Sequence, residues 1–166
     1  MKRGPQKHIA VFMTLLLILM FLAPAVRVPS AKANQSPFAG EGTEDNPYRI
    51  SSAQDLYLLG QVYADYKYKY FQQTQNIDLS GYGNWVPIAG SLKEPFNAVY
   101  DGGGYEITGL NIDRADENEL GLFGKIGSAG AVKNVRIIGG TIRGDEIIGG
   151  LAAINFGTIT HSSSSA

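Results

Sequence analysis

Gly121-Leu122-Phe123-Gly124-Lys125-Ile126, followed by Gly130-Ala131-Val132-Lys133-Asn134-Val135, is restated downstream as Gly150-Leu151-Ala152-Ala153-Ile154, followed by Gly157-Thr158-Ile159-Thr160-His161-Ser162. Leu122 maps onto Leu151 at a spacing of 29 residues and Val132 onto Ile159 at a spacing of 27. Self-similarity at such a period marks a stacked repeat, in which one unit cannot bury its own apolar face and needs its neighbour to do so. Val135 with Ile137 and Thr141 with Ile142 form short β-prone runs, bounded by Gly139-Gly140 and Gly144. Of the 21 glycines, 14 fall between Gly102 and Gly157. That density is incompatible with helices, at roughly 1 kcal/mol for each interior glycine, and suits corners where φ must be positive. A Gly-rich antiparallel sandwich would also contain short strands. The long period selects a β-solenoid instead. Leu122 is then expected under Leu151, and Val132 under Ile159, in one dry interior.

The same residues resemble a known family. The runs GLFGKIGSAGAVKNVRIIGGTIRG and IIGGLAAINFGTITHS are similar to two consecutive GLUG repeats, a motif of bacterial surface proteins and of immunoglobulin A proteases. Phe38–Leu59 resembles the segment that opens such regions, and Tyr70–Ile88 and Pro95–Ile112 resemble those that follow it, so the likeness covers Phe38 to Ser162. The resemblance implies an all-β, right-handed parallel β-helix-like solenoid with a short N-terminal capping helix, carried on an exported bacterial protein. It implies no ligand. Two positions depart from the repeat: Ala152-Ala153 replaces Phe123-Gly124, and His161 replaces Asn134, which argues against a stacked asparagine ladder at that corner.

The N-terminus speaks to compartment. Lys2, Arg3 and Lys7 precede an apolar run from Ile9 to Val26, and Ala31-Lys32-Ala33 supplies the small residues of a signal-peptidase site. Residues 1–33 therefore read as a secretory signal cut after Ala33. The competing reading is an uncleaved anchor, for which the 18-residue run is at the short limit of a membrane span. The whole chain has 14 basic and 15 acidic residues, but five of the basic ones lie in the signal. The mature chain keeps nine basic residues against 15 acidic, a net charge of −6. With no basic run left, nucleic acid and anionic lipid are poor partners, and no stable membrane span is expected after cleavage. The absence of cysteine excludes disulfides and thiolate metal sites. The expected location is secreted or extracellular, at the cell surface as part of a longer protein.

Residues 34–75 read as an opening loop and N-terminal cap, and residues 76–166 as the solenoid, with repeats at 121–149 and, incomplete, at 150–166. Ser52-Ala53-Gln54-Asp55 is a capping-box pattern, and Leu56, Leu59 and Tyr63 share one helical face, which predicts a helix from about Ala53 to Ala64. Trp85-Val86-Pro87-Ile88 is expected to pack on the strands. The open C-terminal coil offers an unpaired edge, so self-association is expected there.

Candidate chemistry is sparse. Tyr66, Tyr68 and Tyr70 alternate with Lys67, Lys69 and Phe71, so a strand there would set three phenol rings on one face as a surface for a protein or glycan; sealing the cap onto the first coil is the preferred reading. The loop Asp113–Glu119 offers four carboxylates and an amide, hard ligands suited to calcium, but lacks EF-hand spacing and reads as a solvated loop. Of two histidines, only His161 lies beyond the signal, and no zinc-protease motif or serine elbow is present. No catalytic residue, cofactor or metal is therefore expected. Three functions follow: a non-catalytic interaction module for a protein or glycan, a structural spacer, or a polysaccharide-active β-helix enzyme whose carboxylates meet only in space.

Overall fold

The computed structural model describes residues 36–90 and 93–166. The expected signal segment, 1–33, lies outside the described residues. Residues Ser36–Ala166 form one compact unit. From the opening loop the chain forms β1 (Tyr48–Ile50) and helix α1 (Ala53–Val62). A first turn follows, with β2 (Tyr70–Gln73), β3 (Ile77–Asp78) and single bridging residues at Ile88 and at Phe96. The second turn comprises β4 (Val99–Asp101), β5 (Glu106–Thr108), β6 (Asn111–Asp113) and β7 (Phe123–Ile126). The third comprises β8 (Ala131–Lys133), β9 (Arg136–Ile138), β10 (Thr141–Arg143) and β11 (Ala152–Asn155). A half-turn of β12 (Thr158–Thr160) and β13 (Ser163–Ser164) lies on top.

Each strand pairs in parallel with its counterpart one turn away. The sheets run β1-β2-β4-β8-β12, β3-β5-β9-β13, β6-β10 and β7-β11. This is a β-solenoid of about three turns with one short helix near its start. The expected register holds: Val132 pairs with Ile159, and Phe123 pairs with Ala152, which sets Leu122 beneath Leu151.

Parallel pairing stacks like positions, so alternate residues form inward columns. One column runs Tyr48, Phe71, Tyr100, Val132, Ile159, and a second runs Ile77, Ile107, Ile137. Most of this apolar interior is closed to solvent, with Phe71, Tyr100, Ile107, Leu122 and Val132 at 1% exposure or less. Its polar exception is Gln73, whose Nε2 donates to the carbonyls of Gln75 and Glu106 and whose Oε1 accepts from the Tyr100 hydroxyl at 3.1 Å. A fully satisfied amide is what permits a polar side chain at that depth.

The first turn is covered by the helix. Ser52 Oγ accepts the Asp55 N–H at 3.1 Å, and the Asp55 carboxylate accepts from Ser51 N–H at 2.8 Å, one residue earlier than in the standard capping box. Leu56 and Leu59 are fully buried, and Gly60 lets the helix backbone lie close to Ile88. The helix stops at Val62, short of the expected Ala64, and passes into a 3₁₀ turn over Tyr63–Tyr66. The five-stranded sheet also starts earlier than residue 76, because β1 and β2 both belong to it.

Candidate interaction surface

The outward residues of the five-stranded sheet make a broad strand face that a ligand could approach without disturbing the core. They include Tyr70 and Gln72 on β2, Val99 and Asp101 on β4, and Lys133 on β8, since Phe71, Tyr100 and Val132 between them point inward. The opening loop overhangs this face. Its Gly42, at φ +69°, lies against the Tyr48 ring with no room for a Cβ, and its carbonyl accepts the Tyr70 N–H at 3.2 Å. Glu44, Asp45 and Pro47 thereby close one side of a cleft of about 190 Å³ over Tyr70, Gln72, Val99, Asp101 and Lys133. That volume is below the ordinary range for drug-sized ligands and suits a single side chain or sugar ring.

Asp101 is the best-defined group in the cleft. Burial pushes its pKa up, but the Asn134 amide at 2.9 Å, the Gly103 N–H at 2.9 Å and the Lys133 ammonium at 3.4 Å outweigh that and hold it below the usual carboxylate range. It stays ionised at neutral pH, so it is a poor general acid and a good acceptor of hydroxyl or amine hydrogen bonds. Asn134 sits at φ +55° and His161, its counterpart one turn on, at φ +49°. Asparagine and histidine are among the few residues that tolerate this left-handed conformation, so the corner survives the replacement that interrupts the amide series.

The outer surface carries a charge pattern that single-site inspection of the sequence misses. Asp101, Glu106 and Asp113 on the second turn stand in register with Lys133, Arg136 and Arg143 on the third. The pairs lie at 3.4, 3.3 and 3.9 Å, one on each of three sheets. Exposed pairs of this kind contribute little energy each, about 0–1 kcal/mol. A slipped register would break all three together.

The three tyrosines do not form a row. Tyr66 ends the 3₁₀ turn, packs edge-on against Phe38 and Tyr48 at ring distances of 5.7 and 5.3 Å, and donates to Ser36 Oγ at 3.3 Å. Tyr68 has φ +63° and is 71% exposed. Only Tyr70 lies in the cleft. A row would have needed a continuous strand, but the chain turns at Tyr68, and Tyr66 packs against the cap instead. In the Asp113–Glu119 loop, Glu117 pairs with Arg114 at 2.8 Å, Glu119 with Lys125 at 3.2 Å, and Asp113 with Arg143. Among the described residues no group of three or more His, Asp or Glu side chains is placed to hold a metal. His161 is exposed at its corner, and no helix among the described residues is long and apolar enough to cross a membrane.

Fold and surface together define a parallel β-solenoid built of glycine-rich repeats. In sequence the chain is similar to a protein of Evansella cellulosilytica provisionally named a Gly-rich membrane protein, at 37% identity over 92% of this chain. It is also similar to the halomucin of Haloquadratum walsbyi, at 33% identity over 74% of the chain. The chain spans 18% of the length of the first relative and 1% of the second. No family model matches the chain, so the GLUG likeness rests on the residues quoted above. No solved structure matches it.

Proposed function

We propose that this chain is a non-catalytic GLUG-type repeat module, exported through a cleaved signal and displayed outside the cell, where the outward face of the five-stranded sheet engages a protein or glycan. The observation that carries the reading is the cleft at Tyr70, Asp101 and Lys133. It puts an aromatic ring, an ionised acceptor and a cation on a rigid sheet, the groups with which hydroxyl-rich or polar surfaces are held. The surface or membrane names of both relatives agree with display outside the cell. The depressed pKa of Asp101 speaks against a general-acid role for this carboxylate in glycoside cleavage.

The test is a glycan array and a cell-surface pull-down with residues 34–166, alongside Tyr70→Ala and Lys133→Ala. Binding that falls at least tenfold in both variants, with unchanged thermal unfolding, supports the reading. Binding that ignores both substitutions removes the cleft from it, absence of any binding leaves the spacer role, and release of reducing ends from a bound polysaccharide establishes the enzyme instead.

A further inference from the structure

A row of outward side chains in register crosses the five-stranded sheet. Arg49 on β1 stands beside Gln72 on β2, Gln72 beside Asp101 on β4, and Asp101 beside Lys133 on β8. Neighbouring strands lie ~4.8 Å apart, so the row runs across them, along the solenoid axis, for about 14 Å. A second and larger cleft, of about 690 Å³, lies at the Arg49 end and is lined by Arg49, Ser51, Asp55, Gln72 and Thr74. Gln72 lines both clefts, so they meet on this row. The cations of the third turn, Lys133, Arg136 and Arg143, each face a carboxylate on the second. Arg49 faces an amide instead, is exposed, and makes no ion pair among the described residues. Asp55 shares its cleft, but Asp55 Oδ2 is taken up by the Ser51 N–H and hydroxyl at 2.8 and 2.9 Å, in the first turn of α1.

We infer that this row binds a glycan stretch in which one carboxylate-bearing sugar is followed by neutral sugars, laid along the solenoid axis. Arg49 holds the carboxylate, and the neutral sugars run over Gln72 to the paired Asp101 and Lys133. The inference rests on the glycan branch of the function proposed above and names the class of glycan. A guanidinium left without a partner presents a planar fork of donors that matches a carboxylate bidentately. Beyond it, the Gln72 amide, the Ser51 and Thr74 hydroxyls and the ionised Asp101 offer the mixed donors and acceptors that sugar hydroxyls need. Glu44 and Asp45 on the rim of the smaller cleft disfavour a polymer charged along its whole length. An extended pyranose chain advances per sugar by about the strand spacing, so about three sugars cover the two steps of ~4.8 Å from Arg49 to Asp101. A peptide fits less well. Extended peptides gain affinity by main-chain pairing along a strand edge, whereas this row crosses strands whose backbones already pair with one another.

The experiment is titration calorimetry on residues 34–166, which contain the whole compact unit, with two matched pairs of sugars. The pairs are sialyllactose against lactose, and xylotriose carrying one glucuronate against plain xylotriose. Each is titrated into the wild type, Arg49→Gln and Tyr70→Ala, with thermal unfolding as the check that the exposed substitutions leave the fold intact. In at least one pair the acidic sugar should bind at least tenfold tighter than its neutral partner. Arg49→Gln should bring the two within about twofold of each other, while Tyr70→Ala weakens both. Equal affinities within each pair, or a preference that survives Arg49→Gln, overturn the inference; the glycan-binding face itself still stands if Tyr70→Ala weakens binding. Failure of all four sugars to bind also overturns it, and the glycan array then decides separately whether the face takes any glycan. An Arg49-dependent contact with a protein in the pull-down overturns the assignment to a glycan.

Discussion

Leu122 and Leu151 carry the same side chain in the same column, one turn apart, so truncating each to alanine isolates what stacking contributes. Leu122 is fully buried between the turns above and below it, and its carbonyl accepts the Ile88 N–H at 3.0 Å. Removing its three carbons deletes their transfer free energy and leaves a cavity that neighbours on two turns cannot collapse into, a loss of about 3–4 kcal/mol. Leu151 has a turn on one side only and is half-buried, so about half of that, roughly 1.5–2 kcal/mol, is expected. For a unit of this size 1 kcal/mol moves Tm by about 3–5 °C, so the two variants should separate by several degrees. Urea unfolding of residues 34–166 at low micromolar concentration measures both losses, and an unchanged m-value certifies that only stability moved. Equal costs at low concentration would refute the reasoning, because they would mean that Leu151 is as enclosed as Leu122 and that the solenoid has no open top.

Two further outcomes follow from the corners. Gly140 has φ +114°, and a Cβ there would lie 2.3 Å from the Leu110 carbonyl oxygen, so Gly140→Ala should cost about 2–3 kcal/mol by chemical denaturation, against a few tenths for Gly81→Ala, where nothing lies within 4 Å of the added carbon. Asp101 has a folded pKa below its unfolded value, so its contribution is present above about pH 4, where the unfolded carboxyl titrates, and is lost as pH falls through the folded value; thermal scans from pH 6 to 2 should show Asp101→Asn losing less stability on acidification than the wild type.

The later turns were legible because two of them repeat nearly residue for residue, so the inward positions of one could be read from the other. The earlier turns were hidden by spacing. Tyr48 pairs with Phe71, Phe71 with Tyr100 and Tyr100 with Val132, at intervals of 23, 29 and 32 residues, so no single period runs through them. β1 is three residues long and lies beyond α1 from its partner, so no periodicity announces it. Gln73 and Tyr100 look like surface residues singly and are core residues only as a hydrogen-bonded pair. The cleft draws on segments that local reading keeps apart. A signal did exist: mapping Val132 back one turn to Tyr100 would have set Lys133 over Asp101, whereas Arg136 reaches Glu106 only at a step two residues shorter.

The glycines of the repeat show most clearly how a right composition argument can carry a wrong cause. Their density was read as a supply of positive-φ corners, and Gly103, Gly104, Gly109, Gly139 and Gly140 do serve that way. Gly121 and Gly124, which flank Leu122-Phe123 in the first repeat, do not. A Cβ on Gly121 would lie 2.4 Å from the Gly149 carbonyl oxygen, and one on Gly124 would lie 2.4 Å from Gly90 Cα. These positions are bare so that the backbones of successive turns can approach, which is a demand of the neighbour rather than of the residue's own dihedrals. The demand need not be the same on every turn. Ala153 stands in register with Gly124, a residue with no side chain to oppose it, whereas Gly124 meets the backbone of Ala89 and Gly90. The Gly-to-Ala departure between the two repeats is therefore a difference in what lies against each copy, and the motif is a record of contact between turns.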